Sequence, residues 1–168
     1  MSNYSEGTPT VRTARANPMG AYVAIGGIVL FTIAVFLDWL SVEVTGTDTE
    51  SSVTGYETSA LIPFVAYLGI GLAAALLYAM SRARRRQHRG LTLATMAAGI
   101  AATLLALSYL IDAPGVTEDT GDLSPKIGVY VALLGGLLWA AGSGLFAKET
   151  EGDDHDRVDA NHGGTGRA

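Results

Sequence analysis

Few residues of this chain are of types that carry chemistry, and their spacing suits chemistry poorly. Ser143 stands in Gly142-Ser143-Gly144. A serine nucleophile needs a neighbouring base to take its proton, and none accompanies it. Asp38 and Asp112 each close an apolar segment, and Lys126 opens another. They could bind a cation, or pair with Lys126, though solvated carboxylates at segment ends are the favoured reading. Asp153-Asp154-His155-Asp156, with Asp159 and His162, could hold a divalent metal loosely. A disordered acidic tail explains the same residues better. Thr32, Thr92, Thr95, Thr103, Ser108 and Ser143 are the polar residues inside apolar segments, where hydroxyls commonly bond back to their own helix. There is no cysteine, hence no disulfide, thiol nucleophile or cysteine metal site. Phosphate-binding loops are missing too, as are His/Glu/Asp metal spacings within the apolar segments. The expectation is a protein with no catalytic residues, no cofactor and no metal.

The one dense basic run is Arg82-Ala83-Arg84-Arg85-Arg86-Gln87-His88-Arg89. Basic residues beside a bilayer attract anionic headgroups by about 1 kcal/mol each. Arginines flanking membrane spans also stay on the cytoplasmic face. Arg82, Arg84, Arg85, Arg86 and Arg89 are therefore read as headgroup-binding and topology-setting residues.

The elements around this run are long and uncharged. No Asp, Glu, Lys, Arg or His falls within 18–37, 60–81, 90–111 or 127–147. Each gap is about 20 residues, or about 30 Å as helix, matching the hydrocarbon thickness of a bilayer. A soluble helix sets a charged face against its apolar stripe, and none of these segments does. The reading is an all-α membrane protein: an antiparallel bundle of four transmembrane helices, spanning about 18–38, 60–81, 90–111 and 126–147. The domain limits are a flexible cytoplasmic tail over 1–17, the membrane domain over 18–147, and a disordered acidic tail over 148–168. Ten of the eleven basic residues fall on the side of the arginine run. Nine acids and Lys126 alone occupy the two loops opposite, a net −8 against +3. That bias places both termini in the cytoplasm and the protein in the cell membrane as a multi-pass chain. The first apolar run lacks a small-x-small cleavage site, which argues against a cleaved signal peptide.

Along the chain, Asn17-Pro18 suits a helix start, a cap followed by proline. The first helix is expected to reach about Leu37. Trp39 then serves as an interface aromatic at the outer headgroup level. Tyr67, Tyr109 and Tyr130 join it, with Tyr22, Tyr78 and Trp139 toward the inner side. Leu40, Val42 and Val44 alternate with Ser41, Glu43 and Thr45, a strand period. Gly46 to Glu50 supplies a turn, and Ser52-Val53-Thr54-Gly55-Tyr56 returns. This predicts a short extracellular β-hairpin between helices 1 and 2, with a disordered acidic loop as the alternative. Ser124-Pro125 is expected to start the fourth helix.

Helices in lipid associate through close backbone contact more than through hydrophobic drive. The fourth segment carries Gly128, Ala132, Gly136, Ala140 and Gly144, small residues every fourth position. The third carries Ala94, Ala98, Ala102 and Ala106; the second carries Gly71, Ala75 and Ala79. These stripes predict tight packing of the third and fourth helices, or equally of one copy on another.

Two segments resemble those of small four-span membrane proteins of halophilic archaea. They are Phe36-Leu37-Asp38-Trp39-Leu40-Ser41-Val42 and Ser52-Val53-Thr54-Gly55-Tyr56-Glu57. In that pattern a Trp at a span end leads into a strand, and an S-x-T-G-Y-E segment leads into the next helix. The layout is also similar to claudin-like four-helix proteins, by analogy only, since the paired cysteines of that family are missing. The resemblance implies fold and membrane location, and no activity. The expected function is that of a non-enzymatic structural, interaction or accessory subunit. Its partners would be the lipid bilayer and either copies of itself or another membrane protein, with no nucleic acid. The alternative is a small-solute transporter or channel subunit working as an oligomer. Ionisable groups inside the bilayer usually accompany coupled transport, and the segments contain none.

Overall fold

The computed structural model describes residues 16–43, 50–82, 88–112 and 123–149. In chain order the elements are α1 (Met19–Ala34), β1 (Asp38–Glu43), β2 (Glu50–Thr54), α2 (Gly55–Thr58), α3 (Leu61–Arg82), α4 (Arg89–Ile111), β3 (Leu123–Pro125) and α5 (Ile127–Ala147). The chain is mostly helical. α3, α4 and α5 are each long and apolar enough to cross a membrane, while α1 is equally apolar but only 16 residues long. The tip of the first loop, much of the second loop, both tails and Arg84 to Arg86 lie outside the described residues.

Helix ends follow local chemistry. The Asn17 amide oxygen accepts from Met19 N at 3.0 Å, ahead of Pro18. Ser59 Oγ accepts from Leu61 N, and Pro63 sits in the first turn of α3, where its missing N–H costs nothing. α1 stops one turn short of Leu37. Phe36 and Leu37 make tighter bonds, to Ile33 and Ala34, and the next free carbonyls are taken from outside the helix. Tyr56 N donates to Val35 O at 2.9 Å, and Gly55 N donates to Leu37 O at 3.2 Å. Terminal carbonyls need such partners, and here the loop after β2 provides them.

α1, α5, α4 and α3 form a ring in that order, and the closest packing is of α5 on α1 and on α4. Glycine makes this possible. A Cβ on Gly136 would lie 2.7 Å from Thr103 Oγ1 and 2.8 Å from Thr103 N of α4. One on Gly99 would lie 2.6 Å from Ala140 N. On the other side of α5, a Cβ on Gly135 would lie 2.6 Å from Phe31 N, and Gly20 of α1 meets Phe146 N at the same distance. Gly142 meets Ala24 N, and Gly27 meets Trp139 N, more closely still.

The small residues of the sequence stripes therefore serve two partners. Gly136, Ala140 and Gly144 meet α4 through Thr103, Gly99 and Met96, Gly128 lies against Trp39, and Ala132 is buried. Contact with α1 runs instead through Gly135 and Gly142, seven residues apart. On α4 the buried face runs Thr92, Thr95, Gly99, Ala102, Ala106, Tyr109. That alternates steps of three and four, the spacing that keeps one face toward a neighbour over several turns. A strict step of four drifts round the helix: Ala102 and Ala106 are buried, Ala98 is half-buried and Ala94 is exposed. On α3, Gly71 is exposed with open space around it.

The strands form one antiparallel sheet in the order β2-β1-β3. The hairpin of β1 and β2 is joined by Leu123–Pro125, residues expected to lie in a loop and at a helix start. Leu40, Ser41 and Val42 of β1 pair with Pro125, Ser124 and Leu123. The register of β1 on β2 shifts between Asp38 and Leu40, so Trp39 is an extra residue in the strand.

Gly136→Leu should force α4 and α5 apart, and Gly135→Leu should do the same to α1 and α5. Overpacking of this kind costs about 1–3 kcal/mol, read as a lower melting temperature in detergent. Gly71→Leu, with nothing within 4 Å of its Cβ position, should melt like the parent.

Candidate functional site

Two buried tryptophans mark the two places where side chains from several elements converge. The first is at the sheet end of the bundle. A strand alternates its side chains, but the bulge at Trp39 re-aims one residue. As a result Trp39, Leu40 and Ser41 are all buried in succession. The Trp39 ring lies between Gly55, at the start of α2, and Gly128, in the first turn of α5. A Cβ on either glycine would fall 2.5 Å from a ring atom. Its indole N–H donates to Ala34 O at 2.7 Å. It packs on Tyr109 in a T-shaped arrangement, with centroids 5.3 Å apart and planes at 84°. Its own carbonyl accepts from Lys126 N at 2.7 Å. One residue thus ties the end of α1, the sheet, α2, α4 and α5 together.

This corrects the reading of Trp39 as an interface aromatic. The ring is enclosed by protein, and so is Tyr109. Tyr22, Tyr67, Tyr78 and Tyr130 are exposed on the outside of the helices.

The second place is the middle of the bundle. Trp139 of α5 reaches across the ring of helices and packs on Phe31 in a T-shaped arrangement, with centroids 6.4 Å apart. A Cβ on Gly69 of α3 would lie 2.9 Å from Trp139 Cη2, and one on Gly99 of α4 would lie 3.0 Å from its Cγ. Trp139 is therefore a core residue rather than an inner-belt one. Its indole nitrogen and Ser143 Oγ are the enclosed side-chain polar atoms with no protein partner among the described residues. Thr32, Thr92, Thr95, Thr103 and Ser108 all donate to carbonyls of their own helices at 2.7–2.8 Å. Among the described residues no base bonds the Ser143 hydroxyl, and the four long helical segments carry no His, Asp or Glu.

The remaining candidates stand at or near element ends. Asp38 and Asp112 are exposed, and Lys126 is half-buried at the start of α5. Among the described residues no group of three or more His, Asp or Glu could hold a metal ion. The acidic tail from Asp153 to His162 lies outside those residues. Arg82 and Arg89 end α3 and begin α4 at the end away from the sheet, Arg82 over the Tyr78 ring at 5.7 Å. Near them, Asn17 N donates to Glu149 Oε2 at 3.0 Å, closing α1 on the end of α5.

Glu57 is the carboxylate with a clear electrostatic setting. It forms a capping box: Thr54 N and Thr54 Oγ1 both donate to Glu57 Oε2, at 3.1 and 2.9 Å. Those bonds favour the charged form and hold its pKa below the ordinary glutamate value. The sequence shows this box only once Thr54 is known to precede a helical turn.

Trp39→Phe should destabilise the protein by about 1 kcal/mol, because Ala34 O keeps Leu37 N as a donor. Trp39→Ala should cost about 3–5 kcal/mol. Ser143→Ala should not lower stability, since it removes a buried hydroxyl without a protein partner. Reversible unfolding in mixed micelles would measure all three. The lowered pKa of Glu57 makes its small stabilising contribution present above the unfolded-state value and lost as pH falls through the folded one. NMR titration of its carboxyl should show this, and Thr54→Val, which removes the hydroxyl but keeps the backbone N–H, should raise it only part of the way back.

Comparison with known proteins supplies no neighbour: no protein-family model matches the chain, nor does any curated protein or solved structure.

Proposed function

We propose that this is an integral membrane protein that crosses the cell membrane four times, through α1, α3, α4 and α5. The inverted distribution of size carries this reading. Glycine and alanine line the helix contacts, while Val29, Ile33, Phe64, Leu77, Leu104, Leu137 and Leu145 are exposed on the outside. In water such a surface would drive aggregation. In hydrocarbon it costs nothing, and the close glycine contacts then supply the cohesion. α1 is about 24 Å long at 1.5 Å per residue, and the tight turns through Leu37 extend its apolar length. A slightly short span is accommodated by local thinning of the bilayer.

The arginine-rich turn between α3 and α4 and both termini face the cytoplasm, and the sheet caps the outer end. Arg82, Arg84, Arg85, Arg86 and Arg89 hold that orientation and attract anionic headgroups. The protein acts as a non-enzymatic structural, interaction or accessory subunit, engaging copies of itself or another membrane protein. The enclosed sheet end and the small, weakly polar side chains along the helices support a scaffold more than a reaction centre.

Crosslinking in native membranes tests the role: a specific neighbour or a second copy is expected, and a strict monomer without neighbours would overturn it. Solute flux in liposomes holding only this protein would favour an oligomeric transporter or channel subunit instead. A reporter fused after Ala168 should lie inside the cell, and replacing the five arginines by glutamine should give mixed orientation.

A further inference from the structure

With Trp39 and Tyr109 buried, Tyr67 and Tyr130 are the tyrosines of the expected outer belt that stay exposed. Tyr67 does not stand alone at that end. Phe36 leaves α1, Tyr56 lies in α2 and Tyr67 lies in the second turn of α3. They are 67%, 53% and 60% exposed. Phe36 and Tyr56 stack with planes 10° apart and centroids at 6.4 Å. The Tyr67 and Tyr56 phenols lie near one another.

The group is built in advance. Tyr56 N donates to Val35 O and Gly55 N donates to Leu37 O, so backbone bonds bracket Phe36 on both sides. The capping box of Thr54 and Glu57 sets the turn that carries Tyr56. Three large rings gathered at a surface, with no described residue over them, call for a partner of mixed character.

We propose that Phe36, Tyr56 and Tyr67 form a preassembled aromatic anchor that seats the protein in the lipid–water boundary of the outer leaflet. Lipid is the occupant the patch fits because its polarity is graded. On one side it continues into Leu68, the next residue inward on the exposed apolar face of α3. On the other it ends at the exposed, ionised carboxylate of Glu57. The rings and hydroxyls lie between. That order, apolar then amphipathic then charged, is the order met on leaving a bilayer, and amphipathic rings favour its interface. No described cation belongs to the patch, so its attachment is independent of anionic lipid, unlike that of the arginine turn. The anchor rests on the membrane reading above.

The test uses the full chain in phosphatidylcholine vesicles brominated either near the headgroup end of the acyl chain or near its methyl end. Phe36→Trp reports the site, with the parent's emission from the two enclosed tryptophans as background. The added emission should be quenched several-fold more by the shallow bromines than by the deep ones, and little by aqueous acrylamide. Adding Tyr56→Ala and Tyr67→Ala should shift that emission to the red and expose it to acrylamide, with helix content and the Trp39 and Trp139 emission unchanged. Strong acrylamide quenching of Phe36→Trp alone would place the ring in water and overturn the anchor. Stronger deep quenching, or protection from both quenchers as under a protein partner, would overturn it equally. A chain that fails to float with the vesicles would overturn the membrane reading itself, whereas one that floats with a water-exposed probe overturns only the anchor.

Discussion

The fold depends on how closely α5 approaches its two neighbours. Gly135 and Gly142 let α1 come to the backbone on one side, and Gly136, with Gly99 opposite Ala140, lets α4 come in on the other. A side chain at any of these glycines would meet main-chain atoms, which cannot swing aside. Cohesion arises from many short contacts along the helices, because dispersion falls away within fractions of an ångström. α3 is held less tightly, and its Gly69 comes close to the far edge of Trp139 and to Ile28 of α1. That indole fills the space that four helices around a common axis would otherwise leave.

At the sheet end the constraint is different. Helix α1 must stop, and its last carbonyls must be satisfied without more helix. The bulge in β1 turns Trp39 inward, where its N–H reaches Ala34 O. The turn of α2 supplies two backbone donors to Val35 and Leu37. The same two glycines that admit the indole, Gly55 and Gly128, begin α2 and α5. Sheet, helix ends and tryptophan thus depend on one another, and the third strand from Leu123 to Pro125 closes the sheet over them. An isolated hairpin is only marginally stable; here the pair gains a third strand and a buried face.

The exposed aromatics follow from that arrangement. Because Tyr56 must donate to Val35, it lands beside Phe36. Because Trp39 is drawn inside, the rings left at the rim are Tyr67, which its position marked as a belt residue, and Phe36 and Tyr56, which theirs did not.

Much of this was legible along the chain. The absence of charge over each long segment, the turn at Asn17-Pro18, the hydroxyls that bond to their own helices and the strand alternation from Leu40 are local properties. Each is decided by residues within a turn or two of one another, so composition and spacing suffice. The partners were not legible. Gly135 and Gly136 are neighbours in sequence, and only the placement of α1 and α4 gives them separate roles. Ala94 belongs to a plausible stripe of alanines, yet stands exposed, because two packed helices follow alternating steps of three and four. Trp39 sits where a headgroup aromatic would sit, and one extra residue in a strand, visible only against β2, carries it into the core. Local hydrophobicity and charge determined which segments are helices; long-range backbone contact decided which faces meet and which ring is buried, since those depend on atoms supplied by distant parts of the chain.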